Sequence, residues 1–453
     1  MAPSPTSAEA IAYLRSLPAV RERSERVFQK AQEGKLNHFD VDFTKLQDIP
    51  TIVVALIRRD HGDAHSIAKI PPHSRWRHFE VGGQARLSNL HTIWSSSGAD
   101  KLEQARRTLD LMVISVLLDA GAGTKWTYKD KKAAGRTFRR SEGLAIASLD
   151  MFVEGAFSSE AGSPCQVDAK GLANLTHDRL LQGFQVNEET NPLVGTKGRW
   201  ELLTRLGKAL ELHPEFFPSV GGKPARPGNM VDYLMRKGNR RGNTTVISVE
   251  ELWKVVIDGF QEVWPPSRTM LNGVPMGDVW PCECLEKPDA PSDSTDHYVA
   301  FHKLSQWMTY SLMEPLEKLL DFQFENVTLL TGLPEYRNGG LLIDTGFMTL
   351  KHADLERGLA AYKSNALKPG QPAVEVVPTF EAHDPVIIEW RAMTVATLDR
   401  VATEVRKMLG LPNMTLAQVL QGGTWEAGRE MAEVSRPNTR GPPIATISDG
   451  TLF

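Results

Sequence analysis

The sequence predicts a mainly α-helical protein, one large helical domain carrying a few short strands. Three observations support this. Apolar residues recur with a helical period over several long windows. Strand-like patterns are confined to Thr244–Ile247, Leu341–Ile343 and Val374–Val377. No Pro/Gly/Ser-rich linker separates two apolar clusters. The 453 residues are 41% hydrophobic and 24% charged, ordinary values for a chain that buries a sizeable core. Length alone favours two or three domains. The missing linker argues instead for one helical domain over 21–435, with an N-terminal arm over 1–20 and an extended tail over 436–453.

The elements follow in order. Residues 8–32 read as helix, with Ser7 as N-cap and an early interruption at Pro18. Residues 102–118 form a broad apolar face that ends at Gly121 and Gly123. Residues 141–153 read as a second buried helix, whose small residues Gly143, Ala145, Ala147 and Ser148 permit close packing. A helix over 175–184 is capped by Thr176, and 199–212 is amphipathic. The Pro/Gly-rich stretch 213–243 reads as irregular. Helix 248–263 opens on a Ser248/Glu251 capping box, and 264–298 reads as a long loop. Helix 301–322 is broken near Pro315. Glu335, Tyr336 and Arg337 fall on a Pro/Gly-punctuated loop. Helices over 352–366 and 385–409 complete the chain.

Composition excludes several classes of function. A net charge of −3 gives no reason to expect nucleic acid. The basic stretch Lys129–Arg140 is interrupted by Asp130 and two alanines, as a solvated face is. Three cysteines make no disulfide framework, and Cys282-Glu-Cys284 without a second pair is a weak zinc signal. No basic and apolar leader opens the chain, and no apolar run approaches the roughly 18 residues a membrane helix needs. The expectation is a cytoplasmic protein without metal or cofactor that acts on a small molecule. The P-loop, dinucleotide-binding, zinc-hydrolase and nucleophile-elbow motifs are all absent.

What remains is a set of polar and aromatic residues at helix ends and on Gly-rich segments. Arg75, Trp76, Arg77, His78 and Phe79 form one cluster. Trp126 and Tyr128 with Arg140 and Glu142 form another. Asp150 lies in an apolar helix and needs a partner. His302 and Trp307 precede the last group, Glu335, Tyr336, Arg337 and Asp344. Rings stack on ligand faces and carboxylates bind hydroxyls, so the combination suits a sugar or a base. Each residue also has a structural reading. The tryptophans can be core, Arg140 can pair with Glu142, Asp150 can cap a helix, and Glu335 with Arg337 can form a loop salt bridge.

Several of these segments resemble the uracil catabolism protein 4 family. They are Arg75-Trp-Arg-His-Phe79 with Gly82-Gly83, Arg140-Ser-Glu-Gly-Leu-Ala-Ile-Ala-Ser-Leu-Asp-Met-Phe152, Gly277-Asp-Val-Trp280, Leu330-Thr-Gly-Leu-Pro-Glu-Tyr-Arg-Asn-Gly-Gly340 and Glu389-Trp-Arg-Ala392. A fainter similarity reaches the queuosine-salvage nucleosidases. It runs through Glu335-Tyr-Arg337 with Gly346, Leu175-Thr176, and Pro192-Leu193 to Arg205. Those relatives carry Asp where this chain has Glu335. The resemblance implies a fold akin to helix-hairpin-helix DNA glycosylases and hydrolysis of an N-glycosidic bond, in ribosylurea or its phosphate, with release of urea. It implies Glu335 as the catalytic carboxylate, with Asp344 as the second candidate. Arg337, Tyr336, Glu142, Arg140, Trp126, His78, Trp76 and His302 would bind substrate, and Glu142 or His78 would serve the leaving group. The alternatives are a non-catalytic nucleotide-binding module and a ring-opening amidohydrolase.

Overall fold

The computed structural model describes residues 8–447, except 124, 133–134, 220, 290, 292–293 and 366–374. Helix takes 56% and strand 9% of the described residues, so the mainly α expectation holds. Backbone contacts group them into two compact units, each discontinuous in sequence. The first comprises the described residues of 8–73, 268–303 and 328–447. The second comprises Ser74–Ser267 and Leu304–Val327, with its remaining residues outside those described.

The first unit is built on the helix Pro385–Leu409. Asp384 caps it through the Val386 N–H, Pro385 opens the first turn, and Gly410 ends it in a left-handed conformation. Every residue from Val386 to Leu398 is buried, polar ones included. Three consecutive side chains then point in three directions, because each helical step turns about 100°. The Glu389 carboxylate accepts the backbone N–H groups of Asn37, His38 and Phe39 at 2.9, 2.9 and 3.2 Å. Trp390 donates its indole N–H to the Gly339 carbonyl at 2.9 Å. Arg391 grips Asp278 through both nitrogens at 2.8 and 2.7 Å, and stacks 4.1 Å from the Phe301 ring centroid.

Asp278 also accepts from the Trp280 indole and the Lys303 N–H. Burial alone would raise its pKa, but Arg391 and these donors hold it well below the usual carboxylate range. Two of the motifs behind the family resemblance, Gly277-Asp-Val-Trp280 and Glu389-Trp-Arg-Ala392, thus meet as an internal tie. Short strand pairs trim the unit. Phe39–Val41 runs antiparallel to Met348–Leu350, Val279–Pro281 antiparallel to Tyr298–Ala300, and Thr379–Glu381 parallel to Ala445–Ile447.

The second unit packs the helices Lys101–Leu117 and Arg140–Val153, both almost wholly buried beyond their first turns. Asp110 in the first of these accepts Arg226 Nε and the N–H groups of Val167 and Gly228. Asp150 in the second accepts the Tyr128 hydroxyl at 2.8 Å, the partner its burial requires. A small sheet places Thr244–Ser248 between Phe322–Glu325 and Asn239–Arg241.

Most predicted helices are present, with ends shifted by up to about three residues and the 8–32 segment divided into Ala8–Leu14 and Leu17–Gln32. They are Leu17–Gln32 with Pro18 in its first turn, Lys101–Leu117, Arg140–Val153, Thr196–Leu212, His352–Asn365 and Pro385–Leu409. Thr176 caps its helix as expected, and the expected Ser7 cap lies outside the described residues. Other expectations need correction. The stretch 213–243 contains the helix Met230–Lys237 and the strand Asn239–Arg241. Glu251 bonds the Tyr233 hydroxyl rather than closing a capping box, and Ser248 caps through the Glu250 N–H. Pro315 sits inside an unbroken helix, Lys303–Leu320. The strand expected at 374–377 is not formed by its described residues, and the pairing strand is Thr379–Glu381. Among the described residues, no helix is long and apolar enough to cross a membrane.

The tie yields a stability prediction. Removing one member of a buried ion pair strands the other, at a cost of about 3–5 kcal/mol. Asp278→Ala is therefore expected to lower the urea midpoint of unfolding sharply, and an unchanged midpoint would refute the role given to this pair.

Candidate functional site around Glu335 and Arg337

The segment read as a loop is a helix, Tyr336–Asp344. Glu335 is its N-cap. In extended backbone, it accepts the N–H of Arg337 at 2.9 Å and that of Asn338 at 2.6 Å. This satisfies two donors that a helix start otherwise leaves unmade. Gly339 and Gly340, poor helix formers, are there for close packing. A Cβ on Gly339 would lie 2.9 Å from the Trp390 ring, and one on Gly340 3.0 Å from Pro443. The triplet Leu341–Ile343, read as a strand, forms the second half of the helix.

Each Glu335 oxygen takes one backbone N–H and so keeps acceptor capacity for a ligand. Burial raises the pKa of this carboxyl, against the backbone donors and the charges of Lys303 and Arg337. Its oxygens face the helix start, so the loop salt bridge with Arg337 does not form. The Arg337 guanidinium instead lies between two rings, 5.3 Å from the centroids of both Tyr336 and Trp425. Asp344 is instead ion-paired, its two oxygens accepting from Arg436 at 2.8 and 2.5 Å.

Trp425 starts the helix Trp425–Ser435 directly after a π-helical turn, Leu420–Thr424. Such turns recur at functional sites. Gln421 in this turn meets His73 Nδ1 at 2.8 Å, and the His73 ring lies 6.2 Å from Trp425. The backbone of this helix approaches Tyr336–Asp344 so closely that a Cβ on Gly428 would sit 2.2 Å from the Arg337 carbonyl oxygen. Sequence reading missed Trp425, His73, Arg436 and Arg440. The one available signal was the Gly422-Gly423 pair ahead of Trp425.

The other candidates lie elsewhere. His302 is fully buried in the first unit, with a left-handed backbone, and donates from Nε2 to the Leu14 carbonyl at 2.8 Å. Burial lowers its pKa and keeps it neutral. Trp76, His78, Trp126, Arg140 and Glu142 belong to the second unit. Trp126 is 1% exposed, donates to the Phe184 carbonyl and packs on Phe184 and Tyr128, as its core reading has it. Trp76 is likewise buried, with Lys318 over its ring at 4.3 Å. His78 stacks edge-on to Trp307 at 5.9 Å and contacts Arg75, which is anchored by Ser115 and Asp119. Arg140 opens its helix in a left-handed conformation, with Glu142 in the first turn. Among the described residues, no group of three or more His, Cys, Asp or Glu is placed to hold a metal ion.

A helical protein with a capped carboxylate beside a ring-flanked arginine is thus the frame for comparison. The sequence matches, over residues 13–453, the family described as "Protein of unknown function (DUF1688)". It is similar to uracil catabolism protein 4 of Lachancea kluyveri, 41% identical over 446 residues, which span 98% of this chain and 99% of the relative. It is 40% identical to protein urg3 of Schizosaccharomyces pombe (strain 972) over 450 residues, 99% of this chain and 100% of that one. The chain belongs to the uracil catabolism protein 4 family, as its motifs suggest.

The crossing at Gly428 is expected to tolerate no side chain. Gly428→Ala should cost at least about 1–3 kcal/mol by forcing the two helices apart, seen as a lowered melting temperature. A wild-type melting curve would mean that the helices can separate freely.

Proposed function

We propose that the protein acts in uracil catabolism as a hydrolase of the ribosyl C–N bond, converting ribosylurea or its phosphate to urea and the sugar. The name of its relative, uracil catabolism protein 4, supports the pathway. The similarity of Glu335-Tyr-Arg337 to the corresponding segment of queuosine-salvage nucleosidases supports the bond type. The observation that carries the reaction is the Glu335 carboxylate. It is held rigidly by two backbone N–H groups, it is largely desolvated, and it retains acceptor capacity on both oxygens.

Cleavage of a ribosyl C–N bond builds positive charge at the anomeric carbon and the ring oxygen. A fixed carboxylate beside that centre stabilises the charge, or takes the proton of the attacking water. Preorganisation matters because the group then spends nothing on reorienting as the charge develops. Asp344 does not share this role, since its ion pair with Arg436 neutralises the charge that the reaction centre would need. It positions the far end of the same helix.

Glu335→Gln retains one acceptor for the helix start, so the fold should lose only about 1 kcal/mol. Turnover, read as urea released from ribosylurea and from its phosphate, is expected to fall by about 10²–10⁴-fold. If the wild-type protein released no urea from either compound, the glycosidase reading would be wrong.

The raised pKa of Glu335 adds a pH signature. An acid with a raised pKa is still protonated at pH values where an ordinary glutamic acid has ionised. The rate should therefore decline on acidification above the ordinary glutamate range, and Glu335→Gln should remove that limb. An unaltered limb in the variant would assign it to another group.

A further inference from the structure

Two cysteines that the proposed reaction does not use are held in contact. The sulfurs of Cys282 and Cys284, both in the first unit, lie 3.5 Å apart. Spacing alone does not bring them together. Residues two apart share a face on a strand but stand well separated, and on a helix they point in different directions. Here Cys282 follows the strand Val279–Pro281, and the His297 carbonyl fixes its N–H at 2.9 Å. The chain then folds into the tight turn Glu283–Leu285, closed by the Leu285 N–H on the Cys282 carbonyl at 3.0 Å. That turn swings the Cys284 sulfur back onto the Cys282 sulfur.

The two sulfurs differ in access. Cys282 is 1% exposed, whereas Cys284 is half-buried between the exposed residues Glu283 and Glu286. The hydrogen bond with Cys284, then burial, raises the Cys282 pKa well above that of an ordinary thiol, and the charge of Glu389 acts in the same direction. An accessible sulfur backed by a buried one is the arrangement of an attacking and a resolving thiol. Once Cys284 is capped by an oxidant, its hydrogen bond no longer holds the Cys282 proton, and the resolving step can follow.

We propose that Cys282 and Cys284 form a reversible redox switch, closed to an intrachain disulfide by a low-molecular-weight disulfide such as oxidised glutathione. The Cys284 thiolate attacks one sulfur of the oxidant and expels the other, which takes up the proton Cys284 lost. Cys282 then attacks Cys284 Sγ, and its proton goes to the second leaving sulfur. Two protein thiols are oxidised, and one external disulfide is reduced to two thiols. The inference is independent of the glycosidase reading.

Closure has a structural consequence. A disulfide needs its sulfurs about 2.05 Å apart, so the turn must contract. The same turn carries Glu283, whose carboxylate lies 3.4 Å from His38 Nε2. His38 is held at Nδ1 by Asp354 and at its backbone N–H by Glu389, both at 2.9 Å. Oxidation therefore pulls on the segment that the helix Pro385–Leu409 fixes. So short a loop constrains the unfolded chain little, and the bond returns little stability to the native state. The oxidised form is expected to be the less stable one.

The test equilibrates the full chain in oxidised and reduced glutathione, denatures it, and labels free thiols with a maleimide for peptide mass spectrometry. Oxidation should remove labelling from Cys282 and Cys284 together and leave Cys165 labelled. The peptide should be lighter by the two thiol hydrogens, and dithiothreitol should restore it. The oxidised protein should melt at a lower temperature than the reduced one. Cys282→Ser should trap glutathione on Cys284, because the resolving sulfur is gone. Cys284→Ser alters only the half-buried position and should leave Cys282 unmodified. Circular dichroism verifies that it is folded, which guards the test against misfolding of the Cys282 variant. Full labelling of oxidised wild type would overturn the proposal. So would glutathione persisting on Cys284 in wild type, or a link to Cys165 or to a second chain. An oxidised form that melts at or above the reduced one would overturn its reading as a switch.

Discussion

One helical turn, Glu389-Trp390-Arg391, is the constraint on which the first unit depends. Its side chains reach an N-terminal segment, the helix Tyr336–Asp344 and the Asp278 corner, three stretches far apart in sequence. Each bond replaces hydration that the interior cannot supply, so each must be made with good geometry. The Asp278–Arg391 pair is the most demanding of the three. Both members are almost completely buried, and neither is tolerable without the other. Such a pair adds little net stability over an apolar replacement, but it penalises every arrangement in which the two stretches are not in register.

The candidate site takes its precision from that turn. Trp390 fixes the Gly339 carbonyl and packs against the bare Gly339 backbone, which sets where the Tyr336–Asp344 helix lies. Gly428 brings the Trp425–Ser435 helix into backbone contact with Arg337. The cap carboxylate and the ring-clamped guanidinium are therefore carried by a helix pinned from two sides. A polar group so held needs no reorganisation when a ligand arrives.

The roles of the carboxylates and tryptophans depend on context rather than type. Glu335 and Asp344 lie at opposite ends of one short helix. One caps it through backbone N–H groups, whereas the other is charge-paired with Arg436. Trp126 and Trp76 bury their rings among neighbours in the second unit, while Trp425 offers its face to a cation. Nothing in the sequence distinguishes these tryptophans, because the difference lies in which side chains long-range packing brings against each ring.

The sequence by itself determined the mainly helical class, the bounds of the long helices and the family. Amphipathic period, caps such as Asp384 and stops such as Gly410 are local, and they act through neighbours a few residues away. It also pointed to Glu335 and Arg337, although in the wrong local structure. Pro334 and the two glycines mimic a loop, and a nine-residue helix carries too few turns to outweigh them. Tertiary structure alone decided that this segment is helical, because the glycines are needed by Trp390 and Pro443 rather than by a turn. It alone decided that Asp344 pairs with Arg436 and that the Arg337 guanidinium lies against the Tyr336 and Trp425 rings. Such facts belong to pairs of residues far apart in the chain, and burial and pairing of that kind exist only once the chain has closed on itself.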